Sequence, residues 1–337
     1  MKLPRTLPWL VALLWGACVP TAPEAHVAPD PDERFLGNDP CPEASAGMQL
    51  EETAPFTAGG TPTPLLVLMG GGVEVDEAAI AFAEAAGGGD LLVLRATGST
   101  SSYTTWFAEE LALAPPPAAV GTVLLEDAAA GDDDAVLCRV ARADALWIAG
   151  GDQSDYLLRW PTALHETFAR AIARGVAIGG TSAGAMSLSS LAFDAAAGSV
   201  DASQALGDPL DDAVSLSPSP FAVDALEGWL TDTHFSERDR LGRLVAFLAR
   251  AAHQGAPVLG LGIDEETAVV IDGNQVRVSG AGEAWLVALD EAPTLDGGAL
   301  DARAHVAPLS RQGSWPPTTG AAAPDTRALV VVDGTLP

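Results

Sequence analysis

Five short apolar runs alternate with helix-like segments over the first half of the chain. The runs are Leu65–Met69, Leu91–Leu94, Thr122–Leu125, Ala145–Ala149 and Val176–Ile178. The segments of helical composition between them are Asp76–Ala86, Thr104–Ala114, Asp132–Ala143 and Asp155–Ala173, the last divided by Pro161. Short, continuous apolar runs suit strands that are covered on both faces. The alternation therefore predicts an α/β fold with a doubly wound, mostly parallel sheet flanked by helices.

The second half of the chain has a different character. Helices are predicted over residues 183–191 and 240–253, with a loop-rich stretch between them up to about residue 220. Strand-like pieces follow at Ala268–Ile271, Gln275–Val278 and Ala284–Leu289. We expect one large domain over residues 64–292 and a C-terminal β-rich extension, residues 293–337, packed on it. Residues 18–63, rich in Pro, Ala and acids, predict an arm or linker.

The N-terminal residues have the composition of a secretory signal. Lys2 and Arg5 precede the apolar run Leu7–Leu14, and small residues lead to Cys18. Such a segment is too short to span a bilayer and predicts a signal peptide over residues 1–17. Cys18 is either the acylated residue of a lipoprotein or an incidental cysteine after an ordinary cleaved signal. We expect an exported bacterial protein, located in the periplasm, outside the cell or on the outer membrane.

The charge and the histidine and cysteine content limit which binding partners and cofactors this chain can have. The chain has 17 basic and 45 acidic residues, a net charge of −28, and such a field repels nucleic acid and anionic membranes. The five histidines show no metal-ligand spacing and no paired-cysteine motif occurs, so we expect neither a metal nor another cofactor. Cys41 and Cys138 remain for a disulfide, but the sequence does not say whether they meet. A homodimer is also left open.

The sharpest motif is Gly-Gly-Thr-Ser-Ala-Gly-Ala at residues 179–185. It follows a predicted buried strand, precedes a predicted helix and contains a G-x-S-x-G pattern. In this context the serine, Ser182, sits on a tight strand-to-helix turn with its hydroxyl exposed, as a nucleophile requires. The amide of Ala183 can point toward a developing oxyanion. The alternative is a glycine-rich turn that only packs a helix on the sheet.

A nucleophilic serine needs a base and a group that orients it. Of the five histidines, His234 lies just before a predicted helix, where it can face the carboxyl edge of a sheet. Residues 264–266, Asp-Glu-Glu, lie between two strand-like runs and supply the candidate acid. The order serine, histidine, acid differs from that of α/β-hydrolases. A solvated acidic turn is the alternative for residues 264–266.

Three consecutive glycines, Gly70–Gly72, follow the first predicted strand. A phosphate-binding loop would need further glycines and an acid at dinucleotide spacing. We therefore expect a tight turn at the carboxyl edge of the sheet.

Four blocks of the sequence resemble the signature segments of the cyanophycinase-like serine peptidase family. The blocks, in the expected order, are Gly150–Gln153, Gly179–Ala185, His234–Leu244 and Gly262–Ala268. This family is related to aspartyl dipeptidase and has a fold similar to class I glutamine amidotransferases. The resemblance covers roughly residues 64–290, so it identifies residues 64–292 as a catalytic domain.

The resemblance implies a role for each matching residue of a catalytic triad. Ser182 would be the nucleophile, His234 the base and Glu265 the acid that orients His234, with Glu266 as the nearest rival. The amides of Gly151 and Ala183 would form the oxyanion hole.

The family's substrate-binding residues also have counterparts here. Gln153 matches a substrate-contacting glutamine, and Asp232 resembles an acid that recognises the substrate's basic end. Arg238, Arg240 and Arg243 match arginines that hold substrate carboxylates. On one helix Arg238 and Arg240 would lie about 200° apart, so a solvated helix face does not explain both. A guanidinium also pairs with a carboxylate through two hydrogen bonds, which lysine cannot do.

The implied activity is hydrolysis of aspartate-containing amide bonds. The substrate would be cyanophycin, cleaved to β-Asp-Arg dipeptides, or shorter acidic peptides. Thr233 stands where cyanophycinases often carry glutamine, and a long Ser/Asp/Pro-rich loop over residues 193–220 could wall the cleft. Two alternatives therefore stay open: an aspartyl-type exopeptidase acting on short acidic peptides, and a non-catalytic surface binding protein on the same fold.

Overall fold

A computed structural model of the protein describes residues 31–37, 39–57, 59–256, 258–295, 298–319 and 323–336. The strands are β1 Met48–Glu52, β2 Leu66–Met69, β3 Asp90–Arg95, β4 Ala119–Leu125, β5 Ala145–Ile148, β6 Ala177–Thr181, β7 Leu191–Phe193, β8 Leu216–Pro218, β9 Trp229–Thr233, β10 Leu259–Ile263, β11 Thr267–Asp272, β12 Gln275–Gly280, β13 Ala284–Leu289, β14 Ala302–Pro308, β15 Gln312–Ser314 and β16 Arg327–Val331. The α-helices are α1 Asp76–Ala85, α2 Thr100–Thr105, α3 Asp134–Arg142, α4 Thr162–Ala173, α5 Ala183–Met186, α6 Ala202–Gly207 and α7 Leu241–His253.

The five predicted strands form the parallel centre of a nine-stranded sheet, ordered β1-β4-β3-β5-β6-β2-β11-β12-β15. Strands β4, β3, β5, β6 and β2 pair in parallel, and antiparallel strands flank this block on both sides. Central strands such as β5 are buried along their whole length, because helices cover both faces of a parallel sheet. The predicted α/β class is confirmed. The carboxyl ends of β2, β5 and β6 share one edge, where open α/β sheets bind ligands.

A second, five-stranded sheet has the order β16-β14-β13-β10-β9. Its strands β9 and β10 are parallel, with Thr233 opposite Ile263. The residues that follow these two strands, His234 and Asp264, therefore start at the same level. Helix α7 packs on this sheet through Leu244, Phe247 and neighbouring apolar residues. This sheet also contains β14 and β16 from the expected C-terminal extension.

Residues 31–63 differ from the expected arm or linker, because the described part of this stretch is packed on the domain. Strand β1 extends the central sheet beside β4. Arg142, which is buried, donates hydrogen bonds to the carbonyl oxygens of Phe35, Gly37, Asp39 and Phe56. These bonds satisfy backbone carbonyls that would be costly to bury alone.

A disulfide joins Cys41 to Cys138, with a sequence separation of 97. It links the same N-terminal stretch to helix α3 and answers the pairing question that the sequence left open. The expected signal peptide and Cys18 lie outside the described residues. Within the described ranges, no helix has both the length and the hydropathy that crossing a membrane would require.

Two predicted helices are shorter than expected. Helix α5 ends at Met186 rather than near residue 191, and the hydroxyl of Ser187 donates to the carbonyl of Ala183. Serine hydroxyls compete for helical carbonyls in this way and weaken helix interiors. The segment predicted as helix over 104–114 begins with the last two residues of α2, which starts earlier at Thr100, and continues as a π-helical turn, Trp106–Glu110.

Candidate active site

Ser182 lies on the turn between β6 and α5, and its backbone has φ 52° and ψ −122°. A positive φ is unusual for a residue with a side chain and stores strain at functional turns. The turn packs closely against β5, because a Cβ at Gly184 would lie 2.0 Å from the carbonyl oxygen of Ile148. The amide of Ser182 donates to the carbonyl of Met69. The glycine pattern thus holds the serine at the carboxyl edge of the sheet.

His234 comes directly after β9 and meets Ser182 from the second sheet. Its Nε2 is 2.7 Å from Oγ of Ser182. His234 also has a positive φ, 49°, and its amide donates to the carbonyl of Gly70. The residue is 8% exposed, so its ring has a fixed environment on most sides.

Glu265 contacts the second ring nitrogen of His234, Nδ1, and so orients the imidazole. Its Oε1 is 2.6 Å from Nδ1 of His234, and its side chain is 30% exposed. Glu266, the rival acid, is exposed and has φ 52°; its amide donates to the carbonyl of Gly71. Asp264 is buried and accepts hydrogen bonds from Ser236 and Trp285. Of the three acids, Glu265 is the one that contacts His234.

Burial lowers the pKa of His234 below its ordinary value, because desolvation disfavours the charged imidazolium. The hydrogen bond that His234 donates to Glu265 opposes this shift, and the nearby positive charges of Arg238 and Arg240 add to it. A lowered pKa keeps the imidazole neutral near neutral pH. A neutral Nε2 can accept the proton of the Ser182 hydroxyl.

A cavity of about 220 Å³ opens beside Ser182. It is lined by Gly151, Asp152, Gln153, Ser182, Ala183, Met186, Ala195, Gly198, Ser199, Arg238, Arg240 and Arg243. Gly151 and Ala183, the expected oxyanion-hole residues, thus lie in the same cavity as the serine. Ala183 is the first residue of α5, so its amide has no partner within the helix. Gln153 also lines the cavity, and its Nε2 is 3.9 Å from Sδ of Met186.

Arg238 and Arg240 give the cavity its positive charge. The side chain of Arg238 is 53% exposed and its Nε is 3.9 Å from Oε1 of Glu265. Arg240 is 8% exposed, and its Nη1 donates to the carbonyl of Thr233 at 2.7 Å. Burial lowers the pKa of Arg240 to about 10, and the neighbouring arginines add to the shift. At neutral pH the guanidinium group of Arg240 therefore stays charged.

The expectation that Asp232 binds the basic end of a substrate is wrong for this structure. Asp232 is 0% exposed. Its Oδ2 and Oδ1 accept from Nε and Nη2 of Arg243 at 2.8 and 2.6 Å, and Arg240 lies 3.4 Å away. The cost of burying the carboxylate is offset by its bidentate pairing with the guanidinium group. Asp232 therefore pairs with Arg243 and Arg240 and does not face a substrate.

Several residues near the site were not singled out from the sequence. The hydroxyl of Tyr103 donates to Glu74 at 2.5 Å, and burial raises the pKa of that carboxyl. Glu74 follows the glycine turn at residues 70–72, and this position in the sequence could have indicated that it lies near the site. Ala195 and Ser199 line the cavity from the loop-rich segment, where composition gave no side-chain direction. Among the residues that the structure describes, no group of three or more His, Cys, Asp or Glu could hold a metal ion.

A comparison with known protein families relates part of the chain to peptidases. Residues 127–279 match the model of peptidase family S51, a stretch that includes Ser182, His234 and Glu265. This chain is a serine-type peptidase that is similar to family S51 over these 153 of its 337 residues. The resemblance seen in the four sequence blocks is confirmed by this match.

Two solved structures were compared with this chain, and the first of them shares its fold. The crystal structure of a peptidase from an acI-B1 Actinobacterium is similar over 75% of this chain and 97% of its own, at 17% identity and a TM-score of 0.51. A candidate peptidase E from Listeria monocytogenes EGD-e aligns over 65% of this chain and 99% of its own, at 19% identity and a TM-score of 0.40. No curated protein matches the sequence.

Proposed function

We propose that this serine-type peptidase hydrolyses amide bonds through a triad of Ser182, His234 and Glu265. The observation that carries the proposal is the unbroken hydrogen-bond chain from Oγ of Ser182 to Nε2 of His234 and from Nδ1 to Oε1 of Glu265, at 2.7 and 2.6 Å. A nucleophile, a base and an orienting carboxylate in this arrangement are the parts that acyl transfer requires.

In the proposed cycle, Ser182 passes its hydroxyl proton to Nε2 of His234 and attacks the substrate carbonyl. The amides of Gly151 and Ala183 donate hydrogen bonds to the resulting oxyanion. His234 then gives its proton to the leaving amine, and the C–N bond breaks to leave an acyl ester on Ser182. Water, deprotonated by His234, adds to the ester and releases the acid, which regenerates the serine hydroxyl.

The proposed substrates carry a free carboxylate close to the amide bond that is cleaved. In an overall acidic protein, the cavity beside Ser182 is lined by three arginines, and guanidinium groups bind carboxylates well. We propose cyanophycin, cleaved to β-Asp-Arg dipeptides, as the natural substrate, with Arg238 and Arg240 holding the free α-carboxylate of an arginine that is linked to an aspartate side chain, and Gln153 contacting the adjacent backbone. The resemblance of the four sequence blocks supports this choice.

The second candidate is an exopeptidase that acts on short acidic peptides. The size of the cavity, about 220 Å³, favours it, because sites that enclose drug-sized ligands start at about 300 Å³. A cavity of this size holds one residue rather than a length of chain. Thr233, which stands where cyanophycinases often carry glutamine, also favours this candidate.

One assay separates the two candidates. The purified protein is incubated with cyanophycin and, separately, with α-Asp dipeptides, and the products are separated by chromatography. Release of β-Asp-Arg from the polymer supports the first candidate, and cleavage of only the dipeptides supports the second. The variant Ser182→Ala is the control in both arms. A preparation that cleaves neither substrate contradicts both candidates.

We further propose that the protein is exported. The Cys41–Cys138 disulfide supports this proposal, because disulfides persist mainly in oxidising compartments outside the cytosol. The N-terminal signal composition points the same way. Mass spectrometry of the mature protein tests both points: cleavage before Cys18 with an acyl mass indicates a lipoprotein, and cleavage without it indicates an ordinary signal. An intact N-terminus on a cytosolic protein would contradict export.

A further inference from the structure

A second cavity lies beside the glycine turn that follows β2. It has a volume of about 690 Å³, and its lining residues fall within 73–76 and 101–110. Sites that enclose small ligands have volumes of about 300–1,000 Å³. No residue that the structure describes lines both this cavity and the arginine-lined cavity beside Ser182. We call the second one the acidic cavity.

The charge of the acidic cavity comes from Glu74, Asp76 and Glu110, and no basic side chain of the described residues lines it. Within the described ranges, none of these three carboxylates has a cationic side chain at ion-pair distance. Three carboxylates around one cavity repel one another unless a cation lies between them. The cavity therefore favours a positively charged ligand.

Glu74 supplies a second, independent reason to expect such a ligand. Its Oε1 accepts from the hydroxyl of Tyr103 at 2.5 Å, whereas its Oε2 is buried and has no hydrogen-bond partner among the described residues. A buried carboxylate oxygen without a partner is costly. Burial accordingly raises the pKa of Glu74, and the hydroxyls of Tyr103 and Thr181 oppose this shift. A cationic group in the cavity would reduce the cost.

Aromatic side chains make up another part of the cavity lining. Trp106 and Tyr103 both line it, and the indole nitrogen of Trp106 donates to Oδ1 of Asp76 at 3.1 Å. The guanidinium carbon of Arg95 lies 5.4 Å from the ring centroid of Tyr103, but Arg95 also donates to two backbone carbonyls of its own loop. Aromatic rings beside carboxylates suit a planar guanidinium better than a compact ammonium.

The acidic cavity lies next to the triad in the fold. The amide of His234 donates to the carbonyl of Gly70 and that of Glu266 to Gly71, and residues 73–76 continue directly from this turn. The Thr181 hydroxyl that acts on Glu74 belongs to the residue before Ser182. In the proposed cycle His234 protonates the leaving amine, so the released part of the substrate lies on the side of this turn.

We infer that the acidic cavity binds the guanidinium group of an arginine in the part of the substrate that is released as the amine. This inference rests on the proposed function. Glu74 and Asp76 supply the negative charge and the hydrogen-bond acceptors, and Trp106 supplies a flat surface. The arginine-lined cavity holds a carboxylate near the bond, while the acidic cavity holds a cation beyond it. The enzyme thereby selects peptides that carry both charges.

The test replaces arginine by citrulline, which has nearly the same shape but no charge. Two substrate pairs cover both candidate functions: the dipeptides Asp-Arg and Asp-citrulline, and dimers of the β-Asp-Arg unit with arginine or citrulline on the released unit. The variants are Glu74→Gln, which keeps an acceptor for Tyr103, and Trp106→Leu, which removes the indole. Glu109→Gln is the matched control, because Glu109 is exposed and does not line the cavity.

We expect the wild type to prefer the arginine substrate by at least about 10-fold in kcat/KM, as hydrogen bonds to a charged group allow. Both variants should reduce this preference at least about 5-fold, mainly through a higher KM for the arginine substrate. Glu109→Gln removes the same charge from the surface and should keep the preference within about 2-fold. Thermal unfolding verifies each fold, and Asp76→Asn, at an exposed position, replaces Glu74→Gln if that variant does not fold.

Binding is measured separately by titrating Ser182→Ala with the uncleaved substrates in a calorimeter. The inference predicts that arginine binds at least about 10-fold more tightly than citrulline. Equal affinities, equal hydrolysis of the two substrates, or an equal loss on both in Glu74→Gln and Trp106→Leu would overturn it. Equal hydrolysis leaves the proposed peptidase function intact. A wild type that hydrolyses neither substrate contradicts the proposed function, and the calorimetry still decides whether the cavity binds a guanidinium.

Discussion

Gly71 lies directly against the imidazole of His234. A Cβ at Gly71 would be 2.3 Å from Cε1 and 2.5 Å from Nε2 of that ring, well inside any real contact distance. The absence of a side chain at Gly71, in the turn after β2, therefore leaves the space that the imidazole occupies. Gly72 lies less tightly against Glu265, whose Cβ would be 3.1 Å from a Cβ added at Gly72.

Gly71→Ala should displace His234 and lower kcat/KM at least about 100-fold, because a shift of about 1 Å in a reacting group has this cost. Gly88→Ala is the matched control, since Gly88 also has a positive φ but nothing lies within 4 Å of its Cβ position. Both variants should lose a similar stability, about 1 kcal/mol from the backbone strain. Equal activity in the two variants would show that the ring position does not depend on Gly71.

Glu265→Gln should reduce kcat about 10³–10⁴-fold while leaving the fold intact. The amide can no longer hold the imidazole in the required tautomer or stabilise the imidazolium that forms. Glu266→Gln, one residue along on the exposed side of the turn, should stay within about 2-fold of the wild type. Steady-state kinetics of the two variants measure the difference, and the reverse ranking would assign the acid to Glu266.

The pH profile should report the lowered pKa of His234. The neutral imidazole is the active form, so kcat/KM should fall as pH drops, with a midpoint below the ordinary histidine value of about 6.5. Arg238→Gln should move that midpoint upward, because the positive charge of Arg238 contributes to the shift. A midpoint above about 7 in the wild type would contradict the assignment of burial as the main cause.

The same shift makes a prediction about stability. Because the pKa of His234 is lower in the folded than in the unfolded protein, the unfolded protein binds more protons in the window below about 6.5. The contribution of His234 to stability is therefore complete above pH 6.5 and is lost as pH falls toward the folded-state pKa. Denaturant unfolding of the wild type and His234→Gln should show a smaller pH dependence in the variant over this window.

The strands of the central sheet and the turn at Ser182 could be predicted from sequence because their signals are local. Buried parallel strands require continuous apolar runs, and the turn requires small residues close to the serine. The packing of residues 31–63 could not be predicted, because it depends on Arg142 reaching four carbonyls about 86–107 positions away in the sequence. The Pro- and acid-rich composition of a segment does not indicate whether a distant side chain will bind its backbone.

Asp232 shows a second limit of sequence reasoning. The family resemblance implies that Asp232 recognises the basic end of a substrate and therefore faces the cavity. However, β9 ends at Thr233 and the positive φ of His234 turns the chain, so the alternation of side chains along a strand no longer relates the two residues. The partner that neutralises Asp232 comes from α7, 11 positions later. The direction of the carboxylate is therefore a tertiary property.

Removing the disulfide with Cys41→Ala/Cys138→Ala should lower the free energy of unfolding by about 3–5 kcal/mol, because the bond closes a loop of 97 positions in the unfolded chain. Activity of the folded fraction should be retained, since neither cysteine lines the cavity beside Ser182. The wild type in excess reductant should unfold at the same denaturant concentration as the variant. A variant as stable as the oxidised wild type would contradict a stabilising role.

The central claim is that the hydroxyl of Ser182, activated by His234, is the nucleophile. The most direct measurement is labelling with a fluorophosphonate, followed by mass spectrometry of the modified peptide and an assay of residual hydrolysis. The account predicts one label per chain, on Ser182, with activity lost in proportion, and no label with Ser182→Ala, whose rate should fall about 10⁶-fold. An unlabelled protein, a label on another serine, or near-wild-type hydrolysis by Ser182→Ala would contradict it.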